Sequence, residues 1–97
     1  MAKRNRAAPR RIRFNKGAVE GIARPERGRV YVFDSQTPAL AVCVTEKGSR
    51  TFYLYRRIHG KPQRVRIGRY PQVTVAAARE QATRLNYEVA TGKDPQA

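Results

Sequence analysis

Apolar side chains recur at every second position between residues 39 and 67 of this 97-residue chain, and at helical spacing from residue 75 onward. Leu40, Val42 and Val44 alternate with Ala41, Cys43 and Thr45. Phe52 and Leu54 alternate with Thr51, Tyr53, Tyr55 and Arg57, and Val65 and Ile67 with Arg64 and Arg66. A period of two puts each apolar set on one side of a strand. Lys47-Gly48 and Gly60 mark hairpin turns between these strands. Pro62 stands at the start of the third, where no ladder donor is lost. Val75, Ala78, Ala82, Leu85 and Val89 then fall at i, i+3, i+7, i+10 and i+14, the stripe of an amphipathic helix over 75–91. Thr74 is its expected N-cap and Gly92 its expected C′ residue.

Upstream, residues 29–34 read as a short strand. Residues 15–22 read as one or two helical turns capped by Asn15. A sheet with one apolar face and a helix with one apolar stripe cover each other. The expected fold is therefore α+β: a three-stranded antiparallel sheet, plus a short N-terminal strand, packed on one C-terminal helix. The opposite sheet face is left to solvent. It carries Tyr53, Tyr55, Arg57, Arg64 and Arg66, beside small residues that would permit close approach to a partner.

Charge says what kind of partner that is. Lys and Arg number 21 against 7 Asp and Glu, a formal net charge of +14. Residues 47–69 hold eight cations and no acid; residues 1–13 hold six (Lys3, Arg4, Arg6, Arg10, Arg11 and Arg13) and no acid. Beyond residue 70 the charge is balanced. So large an imbalance in so short a chain points to a polyanion. The expected binding residues are Thr45, Lys47, Arg50, Tyr53, Tyr55, Arg57, Lys61, Arg64 and Arg66. The six N-terminal cations are possible arm contacts. Residues 1–13 read as a disordered basic arm, 14–92 as the binding domain and 93–97 as the start of a linker. Deleting residues 1–11 is then expected to leave the fold intact.

Signals of catalysis are missing. The one histidine, His59, adjoins Gly60 in a turn, and the one cysteine, Cys43, lies mid-strand and excludes an internal disulfide. The carboxylates are scattered, with no metal-ligand spacing and no glycine-rich phosphate loop. No cofactor, metal or catalytic residue is expected. No apolar run reaches the ~20 residues of a membrane span, and no signal-peptide core follows the basic N-terminus. A cytoplasmic location is expected.

The ordered set of short motifs resembles a known family. Val-Phe-Asp (32–34), Ala-Leu-Ala-Val-Cys-Val (39–44), Gly-Ser-Arg-Thr-Phe (48–52), Tyr-Arg-Arg (55–57), Gly-Lys (60–61), Arg-Ile-Gly-Arg-Tyr-Pro (66–71), Val-Ala-Ala-Ala-Arg (75–79) and Gly-Lys-Asp-Pro (92–95) follow one another. Together, over residues 12–95, they resemble the N-terminal arm-type DNA-binding domain of phage and integrative-element integrases, the tyrosine site-specific recombinases. The resemblance implies that the open sheet face sits in the major groove of arm sites. It also implies that recombination chemistry belongs to a separate C-terminal domain. The family's outward strand positions match Tyr53, Tyr55, Arg57, Arg64 and Arg66 here. The two tyrosines stand where the family often has cations, so base preference does not carry over.

A small basic RNA-binding or ribosome-associated protein remains open, since Tyr53 and Tyr55 could stack on single-stranded bases. So does a non-catalytic protein-interaction module steered by its charge. On the arm-binding reading the partner is double-stranded DNA, the domain alone is a monomer, and the full-length recombinase assembles on DNA.

Overall fold

The computed structural model describes residues 10–93. Five strands and two helices follow in the order β1 (Arg11–Ile12), α1 (Lys16–Glu20), β2 (Arg29–Asp34), β3 (Leu40–Thr45), β4 (Arg50–Ile58), β5 (Lys61–Tyr70) and α2 (Val75–Ala90). The strands form one sheet in sequence order, antiparallel except for β1, which runs parallel to β2.

This sheet is larger than the expected three strands plus one. The addition is β1, which lies in the stretch read as a disordered arm. Phe33 N–H donates to the Arg10 carbonyl at 2.8 Å, and Ser35 N–H to that of Ile12 at 2.8 Å. A two-residue strand held by backbone bonds leaves no periodic side-chain signal. A deletion of residues 1–11 would take away Arg11 of this strand and the Arg10 carbonyl that Phe33 N–H meets. Lys3, Arg4 and Arg6 lie outside the described residues, as do 94–97 of the expected linker.

The turns follow local chemistry. His59 and Gly60 both have positive φ, 52° and 80°, as a two-residue type I′ hairpin between β4 and β5 requires. The lone histidine is thus a turn residue. Asn15 caps α1 by accepting from Ala18 N–H at 2.8 Å, and Thr74 caps α2 by accepting from Ala77 N–H at 3.1 Å. At the other end of α2, Gly92 N–H donates to Val89 and Lys93 N–H to Glu88. With Gly92 at φ 89°, this is a Schellman close.

The core lies between the sheet and its helical cover. Val32, Leu40, Val42, Val44, Phe52 and Leu54 supply the sheet's inner face, all fully buried. Helix α2 meets it through Ala78 and Ala82, whose small side chains let the helix lie close to β3, β4 and β5. Phe14, Val19 and Ile22 complete the same core from the N-terminal segment, a contribution that periodicity did not reveal.

One irregularity resets the alternation in β5. Tyr53 pairs with Arg66, but Phe52 pairs with Gly68, so Ile67 is an extra residue on β5. Such a bulge shifts the facing of every residue beyond it. Gly68 therefore points inward and is buried, where a Cβ would run into the Val73 side chain. Arg69 is turned outward, opposite Thr51.

Candidate nucleic-acid interface

Cross-strand register defines the outer face. Partners directly opposite share a side of the sheet. Arg11 and Phe33 share it with Ala41 and Tyr53; Tyr31 shares it with Cys43 and Thr51; Arg29 shares it with Thr45. Tyr53, Tyr55, Thr51 and Arg57 on β4 meet Arg66, Arg64, Arg69 and Pro62 on β5. This face has no carboxylate. Asp34, at the end of β2, has the opposite parity and is buried.

The centre of the face is aromatic. Tyr31 on β2 and Tyr53 and Tyr55 on β4 are separated by strand β3, so their backbones are about 9–10 Å apart. Their rings nevertheless touch: the Tyr31 centroid lies 6.2 Å from Tyr53 and 5.1 Å from Tyr55, both edge-to-face. Phe33 joins at 5.9 Å from Tyr55. The contact is possible because β3 presents only Ala41 and Cys43 beneath them. Those two residues are 0% and 4% exposed. They are not open to the close approach of a partner that the sequence suggests; they are the floor on which the rings lean.

Arginines frame the cluster. The Arg64 guanidinium lies 5.8 Å from the ring centroids of both Tyr31 and Tyr55 and donates to the Tyr31 hydroxyl at 2.6 Å. That hydrogen bond, then the attraction of the tyrosine oxygens, raises its pKa above an already high ordinary value. Arg11 stacks over Phe33 at 5.7 Å. Arg57 donates to the Gly60 carbonyl at 2.7 Å and is held by its own hairpin.

Two expected site residues lie elsewhere. Arg50 faces inward, opposite Val44 and Tyr70. Its guanidinium donates to the carbonyls of Val19 (2.9 Å), Ile22 (2.8 Å), Glu20 (3.1 Å) and Gly48 (3.0 Å). It closes the carboxyl end of α1 and fastens it to the sheet. Residue type and charge alone did not separate this role from phosphate contact. Lys61 pairs with Ile58 and has inner-face parity, exposed at the hairpin end. Thr45 has outer-face parity, but its hydroxyl is bonded to that of Ser49 at 2.7 Å. Lys47 is exposed in the β3–β4 turn.

Conversely, Tyr31, Phe33, Arg29 and Arg69 belong to the face but not to the sequence-derived set. For β2 the signal was there: residues 29, 31 and 33 alternate with 30, 32 and 34. For Arg69 simple alternation gives the wrong side, because of the bulge.

Among the described residues no group of three or more His, Cys, Asp or Glu could hold a metal ion, and no helix is long and apolar enough to cross a membrane. Residues 10–97 match a protein family described as an arm DNA-binding domain. The chain belongs to that family. Its charge imbalance and acid-free face agree with DNA as the partner, and the arm domain is a non-catalytic, DNA-binding one. No curated protein matches the chain.

Proposed function

We propose that this arm domain binds a specific duplex DNA site with the outer face of its sheet in the major groove, as the arm-site-binding part of a tyrosine recombinase acting in DNA integration and recombination. The observation that carries this reading is the composition of the face. Arg11, Arg29, Arg57, Arg64, Arg66 and Arg69 surround an aromatic centre, with no acid among its strand positions. A β-ribbon fits the major groove, where arginine can fork to guanine and an apolar ring can meet the thymine methyl.

The aromatic centre also bears on the RNA reading. Base stacking needs free ring faces. Here Tyr31 and Tyr55 meet edge-to-face and Arg64 lies over both. The cluster therefore presents a consolidated ridge with hydroxyl tips, which suits a groove better than a splayed base. Recombination itself, and assembly of a larger protein on DNA, enter this proposal as what the resemblance to integrases implies.

The test compares affinities for duplex DNA, duplex RNA and single strands at one fixed salt concentration, followed by site selection from a random duplex pool. Preference for duplex DNA with an enriched sequence supports the reading. Tighter binding to single-stranded RNA would replace it with the RNA-binding one.

A further inference from the structure

The turn end of the sheet holds a cleft of about 420 Å³ bounded by Arg29, Thr45, Glu46, Lys47, Ser49 and Arg69. Three cations from three different elements converge on it, with one carboxylate. Arg29 comes from β2, Lys47 from the β3–β4 turn and Arg69 from β5. None of the three side chains makes a hydrogen bond or ion pair with another described residue, in contrast to those of Arg50, Arg57 and Arg64. Their donors are free for a ligand. The Thr45–Ser49 hydroxyl pair adds short polar groups. Arg69 reaches this side only because of the bulge between Phe52/Tyr53 and β5.

We infer that this cleft is a phosphate clamp, in which Arg29, Lys47 and Arg69 hold one backbone phosphate of the bound duplex and so fix the domain's register on it. The inference rests on the major-groove reading above. Geometry gives the reason for a clamp at this place. From Thr51 to Arg57 the strand rises about 20 Å, whereas the major groove is about 12 Å wide. A sheet laid with its strands across the groove, its aromatic middle filling it, then meets a phosphate wall at each end. Arg57 stands at one end and the cleft at the other. Phosphate contacts of this kind position a protein without reading sequence. Glu46 at the rim opposes the anion and limits the strength of the clamp.

The experiment measures duplex affinity against salt for the chain and for Arg29→Ala, Lys47→Ala, Arg69→Ala, the triple variant, Glu46→Gln and Arg84→Ala. Arg84, exposed on α2, controls for net charge. Each phosphate contributes about 0.9 to the log–log slope, or roughly eightfold in affinity per decade of salt. Because all three cations serve one phosphate, the triple variant should lose a slope of about 1, not 3. The affinity loss should be equal on preferred and random sequences, and Glu46→Gln should bind more tightly. Slopes that add to about 3, no change in slope for the triple variant, or an equal loss in Arg84→Ala would overturn the clamp while leaving the groove reading in place. If the unaltered chain prefers single-stranded RNA to duplex DNA, the groove reading fails and the clamp fails with it.

Discussion

Asp34 and Arg79, 45 residues apart in sequence, meet in a two-pronged ion pair: Arg79 Nε lies 2.8 Å from Asp34 Oδ2, and a terminal nitrogen 3.1 Å from Oδ1. The Asp34 side chain is fully buried, and its Oδ1 also accepts from Phe14 N–H at 3.1 Å. Arg79 completes the junction by donating to the Phe14 carbonyl at 2.9 Å. One pair thus joins α2, β2 and the segment leading from β1 to α1. Burial resists ionisation of Asp34. The Arg79 fork and the N–H groups of Phe14 and Gln36 outweigh it, so its pKa lies below the ordinary carboxylate value.

The sign of the pH effect follows. The folded state holds Asp34 ionised where the unfolded chain, with a pKa of about 3.9, takes up a proton. The stabilisation is therefore complete above that value and is lost as pH falls through the folded-state value. Asp34→Asn should cost about 3–5 kcal/mol at neutral pH, because it leaves the Arg79 charge without its partner. The stability gap between the two proteins should narrow below about pH 4. A gap in urea-unfolding free energy that stays constant down to pH 2 would contradict this assignment.

Leu54 is fully buried between β4 and the helical layer. Leu54→Ala should cost about 2–5 kcal/mol through the cavity it opens. Gly68→Ala should cost about 1–3 kcal/mol for the opposite reason, since the added methyl runs into Val73 Cγ2 and crowds the backbone-anchored Cβ behind it. Guanidinium-chloride unfolding measures both. An unchanged midpoint for Gly68→Ala would mean that the bulge can relax.

Arg50 gives a prediction contrary to its charge. Arg50→Ala leaves three carbonyls at the end of α1 without their donor and should destabilise by about 1.5–3 kcal/mol. DNA affinity of the folded fraction should stay close to that of the parent. Arg50→Lys should recover little, because an ammonium cannot reproduce the fork. Full stability together with weakened binding would place Arg50 at the interface after all.

Much of this was legible before any coordinate. Strand and helix periods, both caps of α2 and the hairpin glycines are local signals, and strands 29–34 and 50–58 stand where alternation put them. What stayed hidden depends on tertiary pairing. Strand β1 is a backbone event without a side-chain pattern. The buried Asp34–Arg79 pair looked like two ordinary charges, because nothing local shows that α2 reaches the end of β2. The bulge at Ile67 leaves alternation intact up to Arg66 and reverses it afterwards, so simple alternation gives the wrong face for Arg69. Arg50 differs: alternation with Thr51 gives it the inner face that it shares with Phe52, whereas its charge alone points to phosphate.

The two faces of β4 and β5 permit the decisive comparison. Arg66 is exposed on the outer face, opposite Tyr53, and its side chain makes no hydrogen bond or ion pair with another described residue. Arg66→Ala should therefore change stability by roughly 0.5 kcal/mol or less. Its effect should appear in binding. If Arg66 meets a base edge, the loss should be about 1–3 kcal/mol and fall on the preferred sequence; if it meets a phosphate, the loss should be uniform and the salt slope should drop by about 1. Arg64 should behave differently, since it also holds Tyr31 and stacks on Tyr55. Arg64→Ala should weaken binding and alter the tyrosine fluorescence of the free protein, whereas Arg66→Ala should leave that signal unchanged. Should Arg66→Ala unfold the domain while Leu54→Ala only weakens DNA binding, the inward and outward assignments are reversed, and with them the whole interface.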